Sequence, residues 1–188
     1  MRTSPQLEFS PGFFLTLAAL LLMLPLGWCL ALIGAAAFHE LCHLLALRLS
    51  GGQVRQTQLG AGGAVIRACA LTPGKTLLCT LAGPIGALLL LCLVRWFPRL
   101  ALCAALQSAF NLLPIGGLDG GHALCCCLEL LLPPSTAAAA CRTTERVILI
   151  LIGGLGFYGT FILKLGLLPI LAAGILILKG TGGKIPCK

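Results

Sequence analysis

The residues best suited to chemistry form one short run of the sequence, His39-Glu40-Leu41-Cys42-His43, an instance of the pattern H-E-x-x-H. On an α-helix, residues four apart lie one above the other on the same face. Two imidazoles in that arrangement can bind one zinc ion. Glu40, about 100° around the helix from His39, is near enough to act on a water molecule there. The pattern therefore predicts a zinc site with a carboxylate base beside it.

This motif lies in a long apolar run from Leu26 to Leu49. A glutamate and two histidines are costly to hold in hydrocarbon, so ionisable groups in such a place are functional by default. The alternative is chance, since a lone histidine is usually a core residue. Because the chain has only three histidines and five acidic residues, we favour the functional interpretation.

The composition is that of an integral membrane protein. Of 188 residues, 59% are hydrophobic and 10% are charged, and the mean hydropathy is +1.05. This length leaves no space for a large soluble domain beside several membrane spans. Most of the eleven cysteines lie within apolar runs, where a thiol acts as a small apolar side chain rather than as part of a disulfide framework.

The apolar runs predict an all-α polytopic membrane protein with about six transmembrane helices, in a single domain over residues 1–188. The predicted spans are about 13–24, 28–49, 77–96, 100–132, 147–164 and 165–178. Pro25 separates the first two spans, and residues 133–146 are predicted to be a polar linker. Polar and apolar residues alternate within 50–76 and are interrupted by glycines. This pattern indicates a short membrane-associated β-hairpin after the second helix, with a plain loop as the alternative.

The fourth apolar run is too long for one straight helix. Its residues would extend about 50 Å, whereas the hydrocarbon core is about 30 Å thick. Pro114, Gly116 and Gly117 mark the expected break. Irregular backbone at membrane depth survives only inside protein or beside a cavity, so residues 111–121 should line an internal site.

The basic residues favour a multi-pass protein of the cell membrane with both termini in the cytoplasm. With six spans, ten lysines and arginines fall inside, and Arg95, Arg99 and Lys164 fall outside, which accounts for all 13. This asymmetry follows the positive-inside rule. It also explains the net charge of +8 without a nucleic acid as a partner. The expected surroundings are a lipid bilayer.

A catalytic zinc ion usually has three protein ligands and one open position, so a third ligand is needed. Glu8 and Glu145 fall in a tail or a linker, and Glu129 falls where a solvated carboxylate is expected. Asp119 comes just after the Pro-Gly break, at the start of a new half-helix. Asp119 is the favoured ligand, with His122 as its rival and a helix N-cap as its structural alternative.

Together these motifs resemble the site-2 protease family of zinc intramembrane proteases. H-E-x-x-H is followed by Asn111-Leu112-Leu113-Pro114-Ile115-Gly116-Gly117-Leu118-Asp119-Gly120-Gly121, which contains the more specific pattern N-x-x-P-x-x-x-L-D-G, and Ala82-Gly83-Pro84 lies between them. The resemblance covers residues 28–130, the predicted catalytic core, and leaves C-terminal helices at about 147–178. The compact form is most similar to the sporulation-type branch, whose members process a membrane-tethered pro-sigma factor.

The resemblance implies a function and a role for each residue. His39, His43 and Asp119 would bind one zinc ion. Glu40 would be the base, and Asn111 would contact the substrate or an intermediate, with a tie to the broken backbone as the alternative. The substrate would be a membrane protein, and an inhibitory or regulatory membrane partner is expected.

The chain departs from the family in two ways. Cys42 stands where the family usually has glycine, and a thiol is small enough to fit there. The sporulation-type branch often carries a C-terminal nucleotide-sensing domain, and none is expected within these 188 residues.

Two other functions fit part of the pattern. A zinc-binding transporter would place its polar residues along a path across the bilayer, whereas here they gather in one half of it. An inactive pseudo-protease would bind a partner helix without cutting it. The intact H-E-x-x-H motif and Asp119 argue against that second alternative.

Overall fold

A computed structural model describes residues 6–52, 54–60, 63–68 and 71–182. The chain forms two compact units, Met1–Phe110 and Asn111–Lys188. The single domain expected over residues 1–188 stays a prediction.

The first unit contains a three-stranded sheet in the order β1-β2-β3. The strands are β1 (Gln6–Phe9), β2 (Val54–Gly60) and β3 (Gly63–Ala68). β1 runs parallel to β2, with Gln6 opposite Gln56, and β3 runs antiparallel to β2, with Thr57 opposite Ile66. β1 has no counterpart among the predicted elements, because a strand of four residues is too short for a period-two pattern to stand out.

Two helices follow from one long apolar stretch. They are α1 (Pro11–Met23) and α2 (Leu26–Leu49). Leu24 and Pro25 between them have extended backbone angles. The break falls where the sequence predicts it, because the proline ring removes the N–H that would continue α1.

One face of α2 is buried and the opposite face is open. Ala31, Ala35 and His39 are buried at intervals of four residues, which places them in one stripe along the helix. Leu41 and Leu45 are exposed on the other side, where lipid would cover them. The stripe of small residues therefore ends at the first histidine of the motif.

Helix α3 (Pro73–Ala87) packs closely against α2 and continues as a 3₁₀ segment, Leu88–Leu93. A Cβ built on Gly86 would lie 2.5 Å from Cys42 Sγ, so the two helices approach within a distance that only glycine allows. Small residues over 82–86 thus allow α3 to pack closely against α2.

Helix α4 (Pro98–Asn111) contributes to the core of the first unit. Its Cys103 and Ala104 form one buried cluster with Ala31 and Ala35 of α2 and with Leu90. Mostly small side chains fill this core, as is usual where helices pack in a bilayer.

The fourth apolar run is broken at the predicted place. α4 ends at Asn111, and α5 (Asp119–Leu131) begins after an irregular loop. Gly117 has a φ of +81°, in the left-handed region that favours glycine. The backbone N–H of Leu118 donates to the carbonyl of Ile115 at 3.1 Å and closes a turn around it.

The expected polar linker over 133–146 is wrong, because this segment is helical. Helix α6 (Pro134–Phe157) begins at its proline and continues as a π-helical turn, Tyr158–Ile162. A proline in the first turn starts a helix well, and the four alanines that follow are the strongest helix formers. Helix α7 (Leu168–Gly182) packs against α6.

Within the described residues, three helical stretches are long and apolar enough to cross a membrane. They are Leu26–Leu49, Pro73–Leu93 and Pro134–Ile162, and Pro11–Met23 and Leu168–Leu178 are shorter apolar helices. These helices are those of a membrane protein. Six crossings and the side of each terminus stay predictions.

Candidate metal centre

The two histidines of the motif face each other on α2. Their Nε2 atoms are 3.1 Å apart, and their ring planes meet at 80°. His39 is only 2% exposed, and His43 is half-buried. Two nitrogens bound to one tetrahedral zinc ion at about 2.0–2.1 Å are about 3.4 Å apart, so the pair is nearly at the separation that zinc requires.

A backbone carbonyl of α3 orients the ring of His43. His43 Nδ1 lies 2.8 Å from the carbonyl oxygen of Cys79. A carbonyl can only accept, so Nδ1 holds the proton and donates it, which leaves the lone pair of Nε2 for a metal. The packing of α3 on α2 therefore sets the tautomer of a candidate ligand.

The space beside His43 Nε2 exists because residue 83 is a glycine. A Cβ built on Gly83 would overlap Nε2 and would lie 2.5 Å from Cε1 of the same ring. Any larger residue would push the imidazole out of its place. Gly83 thus forms part of a cradle around the histidine.

Asp119 is the first residue of α5 and is half-buried. The N-cap of α5 is Leu118, so the structural alternative that made Asp119 an N-cap is wrong. A carboxylate in the first helical turn is stabilised by the partial positive charge of the helix N-terminus.

The loop before Asp119 lies directly on the first turn of α5. A Cβ built on Gly120 would overlap the carbonyl oxygen of Leu112, and one built on Gly121 would overlap that of Ile115. Two glycines are therefore needed here for loop backbone and helix backbone to touch. This contact explains why glycines directly follow Asp119.

The same loop is tied to α6 by a carboxylate. The backbone N–H of Gly116 donates to Glu145 Oε1 at 2.6 Å. The expectation that Glu145 falls in a linker is wrong, because the residue lies on α6 and contacts the loop.

Among the described residues, three side chains form a group that could hold a metal ion. They are His39, His43 and Asp119, whose ligand atoms lie within 4.8 Å of one another. Two imidazoles and a carboxylate are a donor set that zinc accepts, and a tetrahedral ion would keep one position open. Neither His122 nor Cys42 belongs to this group.

The two remaining predicted site residues are Glu40 and Asn111. Glu40 follows His39 on α2 and is half-buried, and Asn111 is the last residue of α4 and is half-buried as well. Their catalytic roles stay predictions.

Sequence reasoning missed three contributors, namely Cys79, Gly83 in its contact with His43, and Glu145. Cys79 acts through its main chain and leaves no signal in the sequence. Glu145 does leave one, because it is an acidic residue at the edge of a long apolar run, where a carboxylate needs a partner.

A solved structure has the same architecture. The site-2 protease from Methanocaldococcus jannaschii aligns with a TM-score of 0.68 over 94% of this chain and 89% of that chain. The chain has the fold of a site-2 protease. The two sequences are 18% identical, so this likeness concerns the fold. No protein-family model and no curated protein matches the chain.

Proposed function

We propose that this protein is a zinc-dependent intramembrane endopeptidase that cleaves a membrane-embedded or membrane-tethered protein. The observation that carries the proposal is the group of His39, His43 and Asp119. The fold shared with a site-2 protease supports it, and so does the H-E-x-x-H motif, which supplies a carboxylate beside the two imidazoles.

His39, His43 and Asp119 would hold one zinc ion per chain. Such an ion, when bound, supplies Lewis acidity toward a carbonyl oxygen and toward water. Glu40 is the general base in this proposal. Its carboxylate accepts a proton from the attacking water and returns that proton to the amine of the leaving peptide.

Asn111 is the proposed donor to the negative charge that develops on the scissile carbonyl. Its side-chain N–H would donate to that oxygen, and the loss of one such donor typically costs about 10²–10³ in rate. Asn111 is the last residue of α4, so its amide lies where regular helix gives way to the irregular loop.

The proposed substrate class is a membrane-tethered precursor of a sigma factor, which the sporulation-type branch processes. Hydrolysis of a peptide bond needs extended backbone, so the cleaved segment must unwind or enter near the membrane surface. A membrane partner that restrains the enzyme is also part of the proposal, and so is a multi-pass topology with both termini cytoplasmic.

Cleavage and zinc binding can be tested together with one substitution. Glu40→Gln keeps the size of the side chain and removes its basicity. We expect it to lower the cleavage of a co-expressed tethered sigma-factor precursor by about 10²–10⁴, with zinc still bound at one ion per chain. The measurements are fragment yield by mass spectrometry and the zinc content of the purified protein.

The matched control is Glu8→Gln, the same change at an exposed residue of β1. It should alter neither quantity. Cleavage by Glu40→Gln at the wild-type rate would contradict the proposed base. Zinc flux into vesicles without proteolysis would favour a transporter, and bound zinc with no fragments from any membrane protein would favour a pseudo-protease.

A further inference from the structure

One carboxylate outside the ligand group holds the loop that leads into Asp119. The Glu145 carboxylate, on α6, accepts the backbone N–H of Gly116 at 2.6 Å. Gly116 is buried and lies three residues before Asp119. This short, charge-assisted contact therefore acts on the loop close to the candidate ligand.

The backbone of the loop itself offers Gly116 no other acceptor. The loop contains two successive turns: the N–H of Ile115 donates to the Leu113 carbonyl at 2.8 Å, and the N–H of Leu118 donates to the Ile115 carbonyl at 3.1 Å. Gly116 is the second residue of the turn from Ile115 to Leu118, and the N–H of that position does not take part in such a turn. A buried N–H needs a partner, and Glu145 is the partner that the structure provides.

A second contact holds the same loop from the side of α7. Ile115 is fully buried, and its Cγ2 lies 3.1 Å from where a Cβ on Gly180 would be. Leu149 of α6 lies at a similar distance from that point, at 3.0 Å. Ile115 thus packs against α7 at Gly180, the residue that Leu149 of α6 also approaches, and Glu145 adds the directional bond.

We infer that Glu145 is a positioning residue for Asp119: it fixes the turn before α5 so that the Asp119 carboxylate stays in place for zinc. This inference rests on the proposed function. Glu145 touches neither the reacting atoms nor the metal in this role. A lost hydrogen bond to Gly116 lets the turn, and with it the start of α5, sample other positions.

The test uses two substitutions of Glu145 in the full chain. Glu145→Gln keeps an oxygen that can accept from Gly116, whereas Glu145→Leu removes it. Zinc affinity would be measured by competition with a chelator, and hydrogen exchange would be followed in peptides covering residues 112–118. We expect Glu145→Leu to weaken zinc binding about 10- to 100-fold and to speed exchange in this segment, with Glu145→Gln close to wild type.

Thr143→Val is the matched control, because it removes a polar group from the same helix at an exposed site. It should leave zinc affinity and exchange unchanged. Zinc affinity in Glu145→Leu equal to that of wild type would overturn the inference. So would equal losses in the Gln and Leu variants, which would indicate that the charge rather than the hydrogen bond matters.

The proposed function fails in a different way. A wild-type protein that binds zinc and cuts no membrane protein would refute the protease but would leave the two Glu145 variants to decide the positioning role. Wild-type cleavage together with unchanged zinc affinity in Glu145→Leu would refute the positioning role alone.

Discussion

The position of a single imidazole depends on the neighbouring helix as much as on its own. His43 donates to the carbonyl of Cys79, and its ring also lies against Gly83, one turn further along α3. The H-E-x-x-H motif determines only that two histidines share a face of α2. The rotation of the second ring is determined by α3, through one main-chain acceptor and one missing side chain.

Gly83→Ala should therefore weaken the site without removing a ligand. The added methyl group would meet Nε2, Cε1 and Cδ2 of His43, and a rigid ring cannot move its tip aside as a flexible chain can. The ring must turn, which breaks its hydrogen bond to Cys79. We expect zinc affinity to fall about 10- to 100-fold, as is typical when the support of a ligand is lost.

Gly74→Ala is the matched control for that change, because it lies on the same helix with no atom within 4 Å of an added Cβ. It should leave zinc affinity at the wild-type value, and by helix propensity it should raise stability by up to about 1 kcal/mol. Equal zinc affinities in the two alanine variants would show that Gly83 does not shape the site.

At the residue scale, the sequence indicates which side chains could donate to a metal, but not which main-chain groups contact them. The group of His39, His43 and Asp119 was expected, since each offers a donor of the right type near a break or on a helix face. The Cys79 carbonyl could not be found, because every residue has one. Glu145 lies in a segment that the sequence predicts to be a linker, so that wrong prediction conceals its contact with the loop before Asp119.

At the scale of elements, the break between α4 and α5 is a packed structure rather than a gap. Carbonyl oxygens of the loop lie directly against Gly120 and Gly121 in the first turn of α5. Proline and glycine in the sequence show where a helix must stop. They do not show that the loop folds back onto the following helix, which follows only from tertiary contacts.

Gly121→Ala should separate the loop from α5. Its Cβ would overlap the Ile115 carbonyl oxygen and lie 3.1 Å from the Gly116 nitrogen, and all of these atoms belong to the backbone. We expect a loss of stability of about 1–3 kcal/mol from overpacking. Thermal unfolding in detergent would measure it, and zinc content should fall in parallel because the loop leads into Asp119.

Gly154→Ala on α6 provides the comparison for Gly121→Ala. No atom lies within 4 Å of the Cβ added there, so the melting temperature should stay the same or rise slightly. A melting temperature for Gly121→Ala as high as that of Gly154→Ala would mean that the loop can move away from the helix at no cost.

Helix α6 shows why a polar segment next to an apolar run need not be a linker. Pro134–Ile162 has 29 residues, a length of about 44 Å, which exceeds a hydrocarbon core of about 30 Å. A helix of that length that crossed along the bilayer normal would extend beyond the hydrocarbon, and its polar first turns are the part that would meet water. Polarity along the chain therefore does not by itself end a helix.

At the scale of the whole molecule, the lengths of the apolar helices and the distribution of the basic residues give separate evidence on the number of membrane spans. In the part of the chain that the structure describes, three helices are long and apolar enough to cross, and α1, with 13 residues or about 20 Å, is shorter than the core. The distribution of lysines and arginines, ten against three, holds only if α1, the broken span formed by α4 and α5, and α7 also cross, which makes six spans. Locating the loops experimentally therefore tests the number of spans directly.

Reporter fusions should place both termini in the cytoplasm. A fluorescent protein fused after Gly52 or at the C-terminus should fluoresce, because it matures only inside the cell. Alkaline phosphatase fused after Phe97 or Gly166 should be active, because it matures only after export. Exchanging the two reporters at each site supplies the control, since each signal should then disappear. An active phosphatase after Gly52 would show that α2 has the opposite orientation.

A phosphatase that is active at the N-terminus, combined with a fluorescent C-terminal fusion, would mean that α1 lies in the interface without crossing.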